Sequence, residues 1–288
     1  MRDRISVIVT VYNRFEYVRN VILSLINQTL QIDELILADD GSKENIEQYI
    51  KDLIPKCRFS IKHVWQEDIG FRLARSRNNG ARVATGDFLI FLDQDVIFSK
   101  TFIQKVYDVR KKKRIVFVRG YQTSLVEKEE VFSYINSKIF SYEKIYNIIY
   151  KEKIAKEYKN QVIKDKLYRI LYWFKLRNRG AKMVGMMFAL YKVDYEAING
   201  FDDNYKGWGQ EDDDFGNRFY KYGGEVYPLM LKEYLFHMYH YFDPTKKNSS
   251  NIGYYKKRKK EINNINYKSK NGIFNSIDCD KVKVRVLK

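Results

Sequence analysis

The segment DFLIFLDQDV, residues 87–96, ends an apolar run with two aspartates that are separated by one residue. A continuous apolar run without alternation is typical of a strand that is buried on both faces of a sheet. Since the run stops at Asp93 and Asp95, we expect their carboxylates at the carboxyl end of the strand. That end is where open α/β sheets bind ligands. The segment therefore predicts both a fold class and the position of a site.

The strand pattern occurs three more times in the first hundred residues, with helical periodicity between the strands. Each strand ends in polar residues, as in Thr10 and Tyr12 after the first and Asp39 after the second. Alternating strands and helices at this spacing indicate an α/β fold with a mostly parallel sheet. Neither GxGxxG nor GxxxxGK[ST] is present, so the layout lacks a phosphate loop. The three strand segments are ISVIVTVY (5–12), ELILADDGS (34–42) and FSIKHVWQ (59–66).

The chain has 288 residues and a formal net charge of +17. Nucleic acid, an anionic membrane surface or an anionic substrate could each account for this charge. Cys57 and Cys279 lie far apart, which does not indicate a disulfide framework. No apolar run reaches the roughly 18 residues of a membrane span. We therefore expect a soluble, cytoplasmic protein.

Composition changes along the chain predict its organisation. Residues 125–178 are rich in Lys, Tyr and Ile, with helical runs that favour one or two inserted amphipathic helices. Basic residues concentrate after residue 246, in YYKKRKK and DKVKVRVLK. The predicted parts are a domain of residues 1–245, with a nucleotide-binding half (1–124), a helical insertion (125–178) and a half that contains the acidic motif (179–245), and a basic C-terminal extension (246–288).

The segment GWGQEDDDFGNRFYKYGG, residues 207–224, places four consecutive carboxylates at the start of a predicted helix. The helix dipole favours acidic residues there by about 0.3–1 kcal/mol each, which accounts for one or two of them. Four adjacent carboxylates repel one another, and such a cluster raises the pKa of some members, as a general base requires. Trp208, just before the cluster, offers a flat apolar face for a sugar ring.

A divalent metal site is the second chemical prediction. Asp93 and Asp95 provide the hard oxygen ligands that suit Mg²⁺ or Mn²⁺. His237 and His240, two of the three histidines in the chain, lie downstream of the acidic cluster. Because imidazole also binds Mn²⁺, this pair could complete the ligand set.

Taken in order, these motifs resemble the family 2 inverting glycosyltransferases of the GT-A fold. The second half is similar to the galactosyltransferase-type branch, which includes the beta-1,4-galactosyltransferases and the chondroitin polymerase domains. The resemblance covers about residues 4–124 and 180–245. It rests on SVIVTVYNR (6–14), LILADDGS (35–42), FRLARSRNNGA (71–81), GDFLIFLDQDV (86–96), NGFDDNYKGWGQEDDDF (199–215) and FHMYHYFDP (236–244).

The resemblance implies a role for each candidate residue. Asp212 matches the general base, and Glu211 would contact a sugar beside it. Asp95 and His240 match the ligands of Mn²⁺ (or Mg²⁺), with His237 as the second choice of histidine. The nucleotide-sugar would be held by Thr10, Val11, Tyr12, Asp39, Arg77, Asn78, Asp93 and Trp208.

The same resemblance implies the substrates. The donor would be a UDP-sugar, with UDP-galactose, UDP-GalNAc or UDP-GlcNAc favoured by the GWG-type motif. The acceptor would be a glycan or a lipid-linked oligosaccharide in surface polysaccharide synthesis, and no nucleic acid is expected as a partner. The chain departs from the family pattern at Val11, where proline is common. It also lacks the QxxRW motif of processive membrane synthases, which fits addition of single sugars.

Two other functions stay open at this stage. A basic nucleic-acid-binding protein would use the charge of +17 and the interleaved Tyr and Lys of residues 125–178. It leaves Asp93, Asp95 and the acidic cluster unexplained, because carboxylates repel phosphate. A metal-dependent phosphohydrolase would use those carboxylates, and turnover of a UDP-sugar without an acceptor would distinguish it from a transferase.

The basic extension suggests a peripheral contact with an anionic membrane at the inner face of the cell. Each basic residue near such a surface contributes about 1 kcal/mol to binding. Tyr254, Tyr255, Ile273 and Phe274 are the residues that we expect to insert at the level of the lipid headgroups.

Overall fold

The computed structural model describes residues 2–149, 151–229, 235–241, 249–278 and 281–288, with the backbone alone for residues 151–157. It is an α/β structure with a mostly parallel central sheet between helices. The strands are β1 (Ile5–Val11), β2 (Glu34–Asp39), β3 (Ser60–Trp65), β4 (Phe88–Asp93), β5 (Val96–Ile97), β6 (Arg114–Phe117), β7 (Gly120–Gln122), β8 (Met187–Tyr191), β9 (Glu225–Pro228), β10 (Leu235–His237) and β11 (Lys283–Val286).

Ten α-helices lie within the described ranges, together with a short 3-10 turn at Ile54–Lys56. Of the described helices, none is long and apolar enough to cross a lipid bilayer. They are α1 (Phe15–Ile26), α2 (Ile46–Ile50), α3 (Leu73–Val83), α4 (Phe102–Asp108), α5 (Leu125–Ser137), α6 (Tyr142–Ile148), α7 (Lys151–Trp173), α8 (Lys192–Ala197), α9 (Glu211–Lys221) and α10 (Asn251–Glu261).

The central sheet has the order β11-β3-β2-β1-β4-β8-β6-β9 among the described strands. Strands β1 to β4 are parallel, as predicted, and β8 runs antiparallel between β4 and β6. All seven residues of β1 are buried, and alternate side chains enter different cores. Val7 and Val9 pack on the face covered by α1, whereas Ile8 packs on the face with Phe215 and Phe219 of α9. Burial on both faces explains the continuous apolar runs.

A second, three-stranded sheet has the order β5-β10-β7. Its β5 begins directly after Asp93-Gln94-Asp95, which we call the DQD segment. Strand β10 pairs with β5 in antiparallel register, so that His237 lies opposite Val96. The amide of Met238 also donates to the carbonyl oxygen of Asp95 at 2.8 Å. This small sheet therefore brings together two segments that are about 140 residues apart in the sequence.

The predicted insertion, residues 125–178, contains three helices, α5 to α7, rather than one or two. A capping box fixes the start of α5, because Ser124 accepts from the amide of Glu127 and the Glu127 carboxylate accepts from the amide of Ser124. Val131, Tyr142 and Ile145 then pack with Phe236 in a separate core under the small sheet. The first two inserted helices thus support the strand that carries His237.

The basic C-terminal extension packs on the same domain. Strand β11 adds to the edge of the central sheet beside β3, and Arg285 lies 2.9 Å from Nδ1 of His63. Helix α10 contacts α9, and Nδ2 of Asn251 donates to the carbonyl oxygen of Gly209 at 2.9 Å. The boundary at residue 245 stays a prediction, but the residues after it supply a helix and a strand to this fold. Cys57 is buried, and Cys279 lies outside the described residues.

Three of the four extension residues that were expected to insert into a membrane are engaged within the domain. Tyr254 donates to Asp202 at 2.9 Å, Tyr255 donates to Asp213 at 2.8 Å, and Ile273 is buried. Phe274 alone among the four is strongly exposed, at 71%. The expectation was wrong for the first three, because the two tyrosine hydroxyls are hydrogen-bonded to buried carboxylates and the Ile273 side chain is part of the core.

We predict that Arg258→Ala destabilises the fold. Arg258 and Asp202 are both fully buried and form an ion pair at 3.7 Å. Removing one partner of a buried pair typically costs about 3–5 kcal/mol in the free energy of unfolding, because the other charge stays buried. Urea denaturation measures this change.

The matched control is Lys257→Ala, which changes the exposed neighbour on the same helix and should shift the free energy of unfolding by about 0.5 kcal/mol or less. Equal effects of the two substitutions would show that the extension does not pack on the domain as described.

Candidate active site

A cleft of about 1040 Å³ opens at the carboxyl ends of β1 and β4. This is the edge that the strand pattern predicts for ligand binding. Residues from both halves of the chain and from α10 line it. The structure brings these predicted site residues to the cleft: Thr10, Val11, Tyr12, Arg77, Asp93, Asp95, Trp208, Glu211, Asp212, His237 and His240.

The two aspartates of the DQD segment are held in place by pairing between β1 and β4. Thr10 and Asp93 are partners in the parallel register. Between the two aspartates, the Gln94 side chain accepts from the amide of Tyr12 at 3.0 Å and donates to its carbonyl oxygen at 3.2 Å. These bonds fix the loop after β4, so that Asp93 and Asp95 both line the cleft.

Asp95, His237 and His240 form a compact cluster in which one possible ligand atom from each residue lies within 4.8 Å of the others. Nε2 of His237 is 3.0 Å from Oδ1 of Asp95, and Nε2 of His240 is 3.1 Å from Oδ2. Nδ1 of His240 lies 2.8 Å from the carbonyl oxygen of Tyr241. When Nδ1 donates to this carbonyl, Nε2 keeps the lone pair that a metal ligand needs.

Burial and mutual attraction set the protonation of the cluster. Burial raises the pKa of Asp95, but the interactions with His237, His240 and Arg14 outweigh it, and the pKa of Asp95 is lowered overall. Burial alone would lower the pKa of His237, yet the Asp95 carboxylate raises it above its ordinary value. For His240 burial prevails, and its pKa is lowered. Asp95 is thus an ionised carboxylate that is flanked by two imidazoles.

The cluster fits a divalent metal ion. Nδ1 of His237 is buried and has no hydrogen-bond partner within the described part of the chain, and Oδ1 of Asp95 has only the close contact with Nε2 of His237. Buried polar atoms without a partner are uncommon and call for an explanation such as an ion. One carboxylate and two imidazoles suit Mn²⁺ better than Mg²⁺, which prefers oxygen ligands.

Arg77 occupies the centre of a second cluster, on the other side of Asp93. Its guanidinium is almost fully buried, 3.5 Å from Asp93 and 3.6 Å from Glu211. It donates to the carbonyl oxygen of Gly185 at 3.1 Å and lies over the ring of Phe201 at 4.9 Å. Burial raises the pKa of Asp93 to about 6 and that of Glu211 to about 7, with Arg77 acting in the opposite direction in both cases.

The GWGQ turn sets the direction in which α9 enters the site. Gly207, Gly209 and Gln210 all have positive φ, of 76°, 99° and 72°. Left-handed backbone is readily available to glycine, which explains the two glycines. Gln210 is the N-cap of α9, so Glu211 and Asp212 occupy its first turn and line the cleft.

The four carboxylates of the acidic motif have separate environments. Asp212 accepts from the amide of Gly185 at 3.1 Å, and burial raises its pKa. Asp213 is paired with Arg179 at 2.6 Å, and although burial opposes it, Arg179 and Lys182 lower the pKa of Asp213. Asp214 is fully buried with Arg218 at 2.6 Å. Asp212 is thus the carboxylate of the motif that lines the cleft without a close ion pair in the described structure.

Comparison with known proteins places this geometry in a family. The model of "Glycosyl transferase family 2" matches residues 6–181, and that of "N-terminal domain of galactosyltransferase" matches residues 165–241. The chain belongs to glycosyl transferase family 2. The family and branch expected from the motifs are confirmed.

The curated relatives that this chain matches are longer than the chain itself. Chondroitin synthase of Escherichia coli is 28% identical over a region that covers 77% of this chain and 33% of the synthase. Validoxylamine A glucosyltransferase of Streptomyces hygroscopicus is 27% identical, covering 76% of this chain and 52% of that enzyme. The chain therefore spans between a third and about half of the length of these relatives.

Solved structures with low sequence identity confirm the GT-A-like fold. S. aureus TarS 1-349 in complex with UDP-GlcNAc superposes with a TM-score of 0.56 at 13% identity, covering 88% of this chain and 64% of TarS. The mannosyltransferase PcManGT from Pyrobaculum calidifontis, in complex with GDP-Man and Mn²⁺, has a TM-score of 0.50 at 14% identity. That match covers 80% of this chain and 55% of PcManGT.

Two predicted donor-binding residues of the family 2 site do not line the cleft. Asp39 accepts from the amide of Ser42 at 2.8 Å and lies 2.8 Å from Nε2 of His63, so its carboxylate organises the turn after β2. Asn78 is fully buried, where its Nδ2 donates to Asp203 at 2.7 Å and to the carbonyl oxygen of Phe201 at 2.9 Å. Both side chains therefore support the site from beneath its surface.

Several cleft residues were missed by the sequence prediction. Asp40, next to Asp39, lines the cleft, and burial raises its pKa to about 7. Successive side chains at a strand end point to opposite sides, so the sequence indicates that one of these two aspartates faces the cleft but not which one. The cleft is also lined by Lys182, Tyr255 and Lys259, which no sequence motif predicts.

We predict that Asp95→Asn greatly weakens Mn²⁺ binding. The substitution removes the ionised carboxylate between the two imidazoles. The loss in affinity should therefore exceed about 10–100-fold, which is typical when a residue that only contacts a metal ligand is changed. Isothermal titration with Mn²⁺ alone measures the affinity.

Asp40→Asn is the control, since it removes a carboxylate from the same cleft but outside the cluster. Unchanged Mn²⁺ affinity in Asp95→Asn, or an equal loss in Asp40→Asn, would contradict the assignment.

Proposed function

We propose that this enzyme transfers a hexose or N-acetylhexosamine from a UDP-sugar to a hydroxyl of a glycan or lipid-linked acceptor, with inversion at the anomeric carbon. The observation that carries the proposal is the position of Asp212. Its carboxylate lines the same cleft as the Asp95–His237–His240 cluster, and burial raises its pKa. An inverting transfer needs a base on one side of the sugar and charge stabilisation for the leaving group on the other.

The nucleotide end of the donor would lie against the carboxyl ends of β1 and β4. Thr10, Val11 and Tyr12 would hold the uridine, and Asp93 would bind the ribose. Asp95, His237 and His240 would hold the metal ion, which when bound as Mn²⁺ neutralises charge on the diphosphate. Arg14, which lies 3.9 Å from Asp95, adds a cation on the same side.

The sugar end would lie between Trp208 and the first turn of α9. Trp208 is 38% exposed and lines the cleft, so its ring can cover an apolar face of the sugar. Glu211 would contact the sugar from the position that Arg77 fixes. Asp212 would take the proton of the acceptor hydroxyl, because its raised pKa gives it greater affinity for a proton than an ordinary aspartate has.

The hydrogen bond from the amide of Gly185 positions the proposed base. This bond occupies Oδ2 of Asp212, and the amide of Asp213 donates to Oδ1 at 2.8 Å. With both oxygens oriented, the carboxylate has little rotational freedom. A fixed base lowers the entropic cost of reaching the geometry for attack.

The acceptor would belong to surface polysaccharide synthesis, and the enzyme would work in the cytoplasm at the inner face of the membrane. The net charge of +17 supports an anionic partner, and the family supports a glycan acceptor. A donor screen that detects released UDP, with Mn²⁺ present, tests the proposal. UDP release that needs an acceptor supports transfer, whereas equal release without one would indicate a phosphohydrolase.

We predict that Asp212→Asn reduces turnover by about 10²–10⁴-fold, which is the usual contribution of a general base. Binding of UDP and Mn²⁺ should persist, because this carboxylate belongs to neither proposed subsite. Single-turnover assays with saturating donor measure the loss.

Asp213→Asn is the matched control, with the same change one residue later. Because Asp213 is already neutralised by Arg179, its substitution should have a much smaller effect on turnover. If Asp213→Asn abolished turnover while Asp212→Asn kept it, the base would be Asp213.

We predict that the turnover number falls at acid pH, with a midpoint above the ordinary aspartate value. The base is active when ionised, and burial raises the pKa of Asp212. Activity is therefore present above this raised pKa and is lost as the pH falls through it. A pH profile of single-turnover rates between pH 4 and 9 checks this; a flat profile down to the ordinary carboxyl range, at about pH 4, would contradict it.

A further inference from the structure

The outer face of α7 carries a row of large apolar side chains that nothing in the described structure covers. Leu167, the least exposed member, is half exposed, and Trp173, the most exposed, reaches 77%. Contiguous exposed apolar patches on a folded domain usually mark an interaction surface. We call this row the α7 stripe; it consists of Ile163, Leu167, Ile170, Trp173 and Phe174.

The spacing of these residues places them on one side of the helix. Ile163, Leu167, Ile170 and Phe174 are separated by four, three and four positions. With 3.6 residues in each turn, such steps return to nearly the same direction. The amide of Phe174 donates to the carbonyl oxygen of Ile170 at 3.0 Å, which continues the helical pattern past Trp173.

The opposite side of α7 attaches the helix to the domain. Asp165 is buried and pairs with Arg119 at 2.8 Å, and the ring of Tyr172 packs against Tyr220 with a centroid distance of 4.9 Å. Arg169 lies over the ring of Tyr227 at 4.5 Å. Because these contacts fix the rotation of the helix, the α7 stripe faces outward.

Exposed cations border the stripe. Residues 159–179 contain seven Lys or Arg and one acidic residue, the buried Asp165. Lys159, Lys164, Lys166 and Lys175 are exposed, and none forms an ion pair with a described carboxylate. An apolar face bordered by cations matches an anionic lipid surface, where the apolar side chains enter the acyl boundary and the cations meet the headgroups.

We propose that the α7 stripe docks the enzyme on an anionic membrane. A second copy of the chain fits the stripe less well, since a two-fold contact would bring the same lysine-rich borders against each other. The surface lies on the helical insertion rather than on the basic extension, whose Tyr254, Tyr255 and Ile273 are engaged in the fold. Membrane docking rests on the proposed function only for its biological role, which would be to bring the enzyme to a lipid-linked acceptor in that membrane.

Vesicle co-sedimentation of the full chain tests the proposal. We compare vesicles of phosphatidylcholine alone with vesicles that also contain phosphatidylglycerol, at low and high salt. The protein should pellet with the anionic vesicles at low salt and be released at high salt, since salt screens the headgroup attraction. Lys164→Gln/Lys166→Gln should weaken binding about thirtyfold. Leu167→Ser/Phe174→Ser should weaken it at least about tenfold.

Matched control variants lie near the opposite edge of the sheet or on another helix. Val193→Ser/Val286→Ser removes two exposed apolar side chains of α8 and β11, and Lys51→Gln/Lys56→Gln removes two exposed cations near α2. Both control variants should bind like the unmodified chain. Equal binding to neutral and anionic vesicles, or equal losses in the controls, would overturn the proposal.

Two further readouts separate this proposal from its alternatives. A dimer in analytical ultracentrifugation that Leu167→Ser/Phe174→Ser dissociates would assign the stripe to a second copy and overturn membrane docking. UDP release with a water-soluble acceptor should be unchanged in Lys164→Gln/Lys166→Gln and in Leu167→Ser/Phe174→Ser. If neither the unmodified chain nor any variant released UDP, the proposed function would be contradicted. The vesicle experiment would still decide whether the α7 stripe binds membranes.

Discussion

The buried guanidinium of Arg77 is the interaction on which the site depends. It lies between Asp93, at the end of β4, and Glu211, at the start of α9. These carboxylates come from the two halves of the chain and would repel each other without a cation between them. Burial of a guanidinium is unfavourable unless carboxylates and aromatic rings compensate, and the rings of Phe188 and Phe201 provide the second contribution. Arg77 therefore couples the folding of the nucleotide half to the placement of α9.

This cation also separates two acidic centres within one cleft. On one side, Asp95 lies between His237 and His240, with a lowered pKa that suits a metal ligand. On the other side, Glu211 and Asp212 have raised pKa values. Burial raises the pKa of the carboxylates in both centres, but only in the first centre do neighbouring imidazoles outweigh this effect. The fold assigns the first centre to the small sheet and the second to α9.

The sequence predicts those parts of the site that follow from strand and helix ends. Thr10, Asp93 and Asp95 lie where apolar runs stop, and Asp212 lies where a helix must begin after glycines. It cannot predict which of two neighbours faces the cleft. Arg77 and Asn78 are consecutive on α3, point about 100° apart and are both buried, but only Arg77 lines the cleft. At the end of β2, Asp39 turns toward His63 while Asp40 lines the cleft.

The basic extension shows a different limit. Its basic residues suggest a peripheral contact with a membrane, but the buried Arg258 and the Asn251–Gly209 hydrogen bond depend on partners far away in the sequence.

The central claim is that the metal centre and the base are separate. Anomalous diffraction from crystals grown with UDP and Mn²⁺ tests it most directly. The account predicts one manganese peak beside Asp95, His237 and His240, with Asp212 outside its coordination sphere. A peak between Asp93 and the Glu211–Asp212 pair would contradict the account.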